Sequence, residues 1–220
     1  MLNPAAIGAV GVDAGLVAAL TSTVAIGASA VAVRARRAVR RTTAELERLA
    51  AHDAVSDLPN RSGLRGWLEA DLAGAAGQTT EIGLLLIDLE RFRHVNDMFG
   101  REVGDQLIRG VADRIRSVLG PGDRLARFGG DEFALVSSGL TGTSGLASHA
   151  ARLIRLIEQP YSIGGQTIRI SASVGAVLAS GASPSADDLI HHADVARYQA
   201  KARGVRLEVG RESGRYRVFS

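Results

Sequence analysis

The chain opens on a long apolar stretch and then settles into short amphipathic segments. Positions 14–33 read AGLVAALTSTVAIGASAVAV, 20 residues without a charge. A helix of that length rises about 30 Å, the hydrocarbon thickness of a bilayer. RARRAVRR follows at 34–41, whereas only Asp13 stands on the far side. Arginines after the span predict a single-pass segment over residues 1–41, in the inner (cytoplasmic) membrane, with its C-terminal side in the cytoplasm. A secretory signal would carry its charge before the apolar run; a buried soluble helix is the other competing reading. Gly11 and Gly15 have the spacing that lets two membrane helices approach closely. Residues 42–52 predict a linker helix with Leu46 and Leu49 on one face, too short to establish a coiled coil.

From position 53 to 220 the pattern is that of a globular domain with a tail. Turn residues (HDAVSDLPN) precede a helix with Leu64, Trp67, Leu68 and Leu72 at helical spacing. IGLLLIDLE (82–90) is a continuous apolar run too short for a membrane, so it predicts a central strand buried on both faces. Leu107, Val111, Ile115 and Val118 predict a helix over 105–119. DRLARF, a GGDE turn and FALVSS predict a hairpin whose glycines supply positive φ. A helix (145–158), a strand (166–179) and a further helix (185–202) follow, and the tail carries an edge hairpin around Arg211 to Gly214. The order predicts an α+β sandwich, with a ferredoxin-like central antiparallel sheet and flanking helices.

Composition changes this picture in two places. There is no cysteine, which excludes disulfides, thiolate metal sites and thiol nucleophiles. The net charge of +3 is unevenly spread: residues 1–50 carry six Arg against three acids, whereas 51–220 carry 20 basic against 20 acidic residues. The basic excess therefore flanks the span, and nucleic acid is not an expected partner.

Candidate chemistry lies in the acids. Asp88 ends the apolar strand, and Asp131 and Glu132 stand in RFGGDEFALV (127–136). If the hairpin's second strand lies antiparallel beside the first strand, Asp88 abuts Asp131 and Glu132, although 43 residues separate Asp88 from Asp131. Three carboxylates at one sheet edge call for a cation. Oxygen ligands without His or Cys favour Mg²⁺ or Mn²⁺. Such ions accompany phosphates, and the loop from Leu89 to Arg93 leads into a helix start that can hold one. A metal-dependent phosphoryl or nucleotidyl transfer site is the reading these residues support; solvated turn acids are the alternative.

Six ordered segments resemble the GGDEF-domain diguanylate cyclases: DAVSDLPNR (53–61), IDLERFRHVNDMFG (87–100), VGDQL (103–107), ARFGGDEF (126–133), SASVG (171–175) and ADVARYQAK (193–201). The resemblance, over about residues 53–205, implies a nucleotidyl-cyclase palm-type fold. It also implies a homodimer that condenses two GTP into cyclic di-GMP and two pyrophosphates. By the same resemblance Asp88, the Leu89 carbonyl, Asp131 and Glu132 ligate the metal, and Asp131 and Glu132 are catalytic. Asn96 and Asp105 match guanine contacts, Lys201 a phosphate contact, and Phe92, Arg93 and Arg101 lie in substrate-binding segments. A carboxylate that accepts from both N1–H and the 2-amino group of guanine would disfavour ATP.

Several positions depart from the family pattern. Arg93 replaces a usual Lys, Arg101 a usual His, Glu90 a common Asp, and Val205 an Arg that adjacent Arg206 would have to replace. The inhibitory R-x-x-D segment is absent: the matching residues are Gly120-Pro121-Gly122-Asp123. Strong product inhibition of that type is therefore not expected. A weak or inactive domain serving as a GTP-binding or protein-interaction module is the competing function; the intact Asp88, Asp131 and Glu132 argue against it. No sensory domain is recognisable between span and domain.

Overall fold

The structure is a computed structural model that describes residues 51–75, 81–140, 142–180, 185–211 and 216–219. The predicted span at 14–33, its arginine flank and most of the linker helix lie outside these residues. Among the described residues no helix is long and apolar enough to cross a membrane.

The elements are, in chain order, α1 (Arg61–Ala75), β1 (Glu81–Glu90), α2 (Phe92–Phe99), α3 (Arg101–Arg116), β2 (Arg124–Arg127) and β3 (Glu132–Ser138). Then come α4 (Gly142–Ile157), β4 (Tyr161–Ile163), β5 (Gln166–Ile168), β6 (Ser171–Ser180), α5 (Ala186–Arg203), β7 (Leu207–Arg211) and β8 (Tyr216–Phe219). Six strands form one sheet in the order β2-β3-β1-β6-β7-β8. β1 is central because its apolar run tolerates burial on both faces, and Ile82 through Leu89 are all buried.

Side chains that alternate along the strands divide the core in two. Leu85, Ile87, Phe133, Leu135, Val174 and Ala176 pack with residues of α3 and α4. Leu84, Leu86, Ala134, Val136 and Val177 pack with residues of α1 and α5. Helices therefore cover both faces of the sheet. α5 starts at a capping box: the Ser185 hydroxyl accepts from Asp188 N–H at 3.2 Å, and the Asp188 carboxylate accepts from Ser185 N–H. Such a cap contributes about 1 kcal/mol. The helix stops at Gly204, whose φ of 66° is left-handed. It lies close on the sheet because Gly175 has no side chain. A Cβ there would sit 2.1 Å from the backbone nitrogen of Arg197 and 2.4 Å from the Ala193 carbonyl.

Four expectations need correction. The sheet is mixed: β6 and β7 run parallel, joined by the α5 crossover, while the other pairs are antiparallel. The strand expected over 166–179 is broken, because β5 pairs with β4 in a separate hairpin through Gly164 and Gly165, both at positive φ. The helix expected from 105 begins at Arg101, where Gly100 with φ 85° ends α2 and opens α3. Finally, neither Gly129 nor Gly130 has positive φ. The GGDE turn closes differently, with Phe128 N–H and Gly129 N–H both donating to the Glu132 carbonyl, at 2.8 and 3.2 Å. Gly129 serves close approach: a Cβ there would meet the Glu132 carboxylate at 2.5 Å. The expected tail hairpin is present as β7 and β8.

Candidate active site

Strand register brings the predicted acids together. Asp88 faces Glu132 across the β1–β3 pair and Ser173 across β1–β6. Leu89 N–H donates to the Asp131 carbonyl at 3.0 Å, which fixes the GGDE turn on the end of β1. Asp88 continues the alternation of Leu84 and Leu86, so its side chain emerges on the face covered by α5. It is buried there, with 7% of the side chain exposed, and a carboxylate so placed needs partners.

Those partners come from α5. Asp194, Arg197 and Lys201 stand on one helical face at i, i+3 and i+7. Arg197 Nη1 lies 2.7 Å from Asp88 Oδ2 and 2.7 Å from Glu132 Oε1. Its Nη2 and Nε hold Asp194 Oδ1 at 2.6 and 3.1 Å. Lys201 Nζ donates to the other Asp88 oxygen at 2.9 Å. The hydrogen bond to Asp88 raises the Lys201 ammonium above its ordinary value, against partial desolvation. Desolvation lowers the Arg197 guanidinium, yet Asp194, Glu132 and Asp88 outweigh it and raise it overall. The cation that three carboxylates require is thus supplied, in part, by the protein. Lys201 was expected near the phosphates; Arg197 was not expected at all. One arginine among 25 carries little signal, but its helical spacing from Asp194 and Lys201 could have found it.

Asp131 is half-buried, and its carboxylate has no hydrogen-bond or ion-pair partner among the described residues. The turn that carries it is braced from beneath. Arg127 donates from Nε and Nη2 to the Gly130 carbonyl, and from Nη1 to Asp53 Oδ1 at 2.7 Å. Burial raises the Asp53 carboxyl, but bonds from Arg127 and Ser56 outweigh it and hold it below the ordinary carboxylate value.

On the other side of β1 the chain turns through Arg91, whose φ of 62° is left-handed at an L-residue. Such a conformation costs about 1–2 kcal/mol, and here it sits in the connection between Asp88 and α2. The Phe92 and Arg93 N–H groups at the start of α2 have no backbone acceptor among the described residues. The Phe92 ring packs on the core beside Gly104, while the Arg93 side chain is 94% exposed and only loosely paired with Asp97. Asn96 lies over Gly104, where a Cβ would fall 1.8 Å from Asn96 Oδ1. Asp105 follows within α3 and caps nothing, since Gly100 holds the cap position without a side-chain bond. Asn96 and Asp105 side chains make no hydrogen bond with a described residue, and Arg101 is exposed at the start of α3.

A cleft of about 730 Å³ is bordered by Glu90, Arg91, His94, Arg169, Lys201 and Arg206; of the predicted site residues Lys201 alone lines it. Arg206 is bound to Glu158 across this cleft. The donor set of Asp88, Asp131 and Glu132 fits a hard divalent ion in its chemistry. Among the described residues, however, no three acidic or histidine side chains are arranged around a common point.

A family model described as "Diguanylate cyclase, GGDEF domain" matches residues 50–206. The bifunctional diguanylate cyclase/cyclic di-GMP phosphodiesterase MucR of Pseudomonas aeruginosa is 36% identical over 88% of this chain and 30% of its own length. The diguanylate cyclase TpbB of the same species is 35% identical over 74% of this chain and 38% of its own length. The chain thus spans less than two-fifths of either relative. A crystal structure of a sensory box/GGDEF family protein from Caulobacter crescentus superposes with a TM-score of 0.65 at 32% identity, covering 70% of this chain and 99% of that one. With the paired acids at the β1–β3 edge and this likeness across most of the described domain, the chain belongs to the GGDEF-domain diguanylate cyclase family.

Proposed function

We propose that the chain is a diguanylate cyclase that condenses two GTP into cyclic di-GMP and two pyrophosphates, acting as a homodimer with Mg²⁺ or Mn²⁺. The observation that carries this reading is the carboxylate edge: Asp88 and Glu132 opposite each other, with Asp131 tied to the same strand end. Each 3′-hydroxyl oxygen bonds to the α-phosphorus of the nucleotide on the opposing subunit. The bond from that phosphorus to the bridging oxygen breaks, pyrophosphate leaves, and the hydroxyl proton is lost. A divalent ion on Asp88, Asp131, Glu132 and the Leu89 carbonyl would polarise phosphate oxygens and lower the pKa of the attacking hydroxyl.

The chain's own residues do the rest. Asp131, whose carboxylate has no partner among the described residues, is the group available to take a proton. Lys201 at the cleft wall would hold phosphate oxygens once released from Asp88. The N–H groups of Phe92 and Arg93, without a partner among the described residues, suit the same anion. Asn96 and Asp105, whose side chains bond to no described residue, would read the guanine edge. We also place the span at 14–33 in the inner membrane, with the domain in the cytoplasm.

A weakly active, nucleotide-binding module is the second reading, favoured by one observation. Arg206, which would have to replace the arginine missing at Val205, is already committed to Glu158. The two readings separate when the full chain is incubated with GTP and Mg²⁺ beside Asp131→Ala. Cyclic di-GMP from the parent, and a loss of about 10²-fold or more in the variant, is expected for a lost transition-state contact. GTP binding without product from a dimeric preparation would favour the module.

A further inference from the structure

Asp88 and Glu132 are engaged before any ion arrives. Arg197 Nη1 touches one oxygen of each, at 2.7 Å. A small divalent ion bridging those two oxygens would sit about 2.1 Å from each. That position overlaps the guanidinium nitrogen, so arginine and bridging ion exclude one another. Arg197 is also held independently of the acids it neutralises, because Nε and Nη2 stay on Asp194, which is half exposed. Release of Asp88 and Glu132 therefore need not release the side chain from α5. Arg197 also borders a cleft of about 320 Å³ that Asp88 does not line, together with Arg61, Phe128, Glu132, Asp187 and Asp194.

We infer that Arg197 is a resident counter-cation: it neutralises the Asp88–Glu132 edge in the metal-free domain and has to swing off both acids, pivoting on Asp194, before a divalent ion can bridge them. Arg197 is a positioning residue, acting through Asp88 and Glu132. It sets the metal concentration at which the site loads, and it keeps the acids from repelling each other while the site is empty of metal. The inference rests on the reading of these acids as metal ligands.

The test is Mn²⁺ binding to the full chain without nucleotide, followed by the loss of the free-ion paramagnetic resonance signal. Arg197→Met removes the competitor at similar bulk and is expected to tighten Mn²⁺ binding about tenfold or more, because one unit charge at contact distance near a protein surface is worth more than that factor. Without metal the same variant should melt below the parent, and saturating Mn²⁺ should raise its Tm more than it raises the parent's. Arg197→Lys keeps the charge but cannot hold Asp194 and both acids together, so its affinity should fall between the two. If the Met variant does not fold without metal, the Lys variant carries the measurement. Mn²⁺ binding that is unchanged or weaker in these variants would overturn the counter-cation role and leave the cyclase reading standing. No Mn²⁺ binding to parent or variants would overturn the metal reading, and the inference with it.

Discussion

The β2–β3 hairpin carries an acid at each end, and the two ends are built on opposite principles. At the turn end, Glu132 and the neighbouring Asp88 are held by Arg197 and Lys201, cations on a helix remote in sequence. At the other end Asp123, with 6% of its side chain exposed, is held by neutral groups. It accepts from the Ser137 hydroxyl and from Gly120 N–H, the latter at 2.8 Å, within its own turn and the adjoining strand. His149 approaches within 4.0 Å, but burial lowers its pKa, outweighing Asp123 and reinforced by Arg152, and favours the neutral ring. Charged partners on mobile side chains can be exchanged for a metal or a phosphate; a hydroxyl and a backbone amide in a closed turn cannot be exchanged without unfolding it. On the cyclase reading one acid end is open to ligands, and the other is part of the frame.

The inhibitory segment falls on that second end. Its arginine is absent, and the arginines nearest to Asp123 are engaged elsewhere: Arg124 with Asp71 at 3.0 Å and Arg127 with Asp53. On the cyclase reading, strong product inhibition of that type is not expected.

The contrast can be broken first at Gly175. Gly175→Ala drives a methyl into the α5 backbone, and overpacking against backbone should cost about 3 kcal/mol. It would also lift Arg197 and Lys201 from Asp88. Thermal unfolding and cyclic di-GMP formation should both collapse, whereas a neutral effect would mean that α5 does not need its close seat. Next in size is Gly104→Ala, whose methyl displaces Asn96. A rise of about tenfold or more in KM for GTP is expected, the scale of about 1.4 kcal/mol, with a smaller change in kcat. The smallest effect on cyclic di-GMP formation lies at the frame end. Ser137→Ala removes one donor from a buried carboxylate and should lower stability by about 1–3 kcal/mol. Product inhibition should not change; a large change would mean that Asp123 serves a ligand after all.

Much of this was legible in the residues. Eight consecutive buried positions in β1 follow from its apolar run, and the Asp88–Glu132 adjacency was expected on the condition, met here, that β3 lies antiparallel beside β1. Other features were hidden because one residue type answers several needs. Glycine was read as supplying positive φ at Gly129, where it admits the Glu132 side chain. At Gly164–Gly165, where positive φ is real, the hairpin between β4 and β5 was missed, although a Gly-Gly pair between short alternating segments marks such turns. Arg197 was hidden by abundance: its spacing from Asp194 and Lys201 marks a shared helical face, and the fold shows that this face meets Asp88.

The most direct measurement is the initial rate of cyclic di-GMP formation from GTP and Mg²⁺ by the full chain and by Asp88→Asn. The substitution keeps the size but removes the charge that Arg197 and Lys201 hold, and it turns one of the two acceptor oxygens into an amide donor. A loss of about 10²-fold or more, on the scale of a single catalytic contact, is predicted with the fold intact. Equal rates in parent and variant would contradict the assignment of this carboxylate edge as the catalytic site.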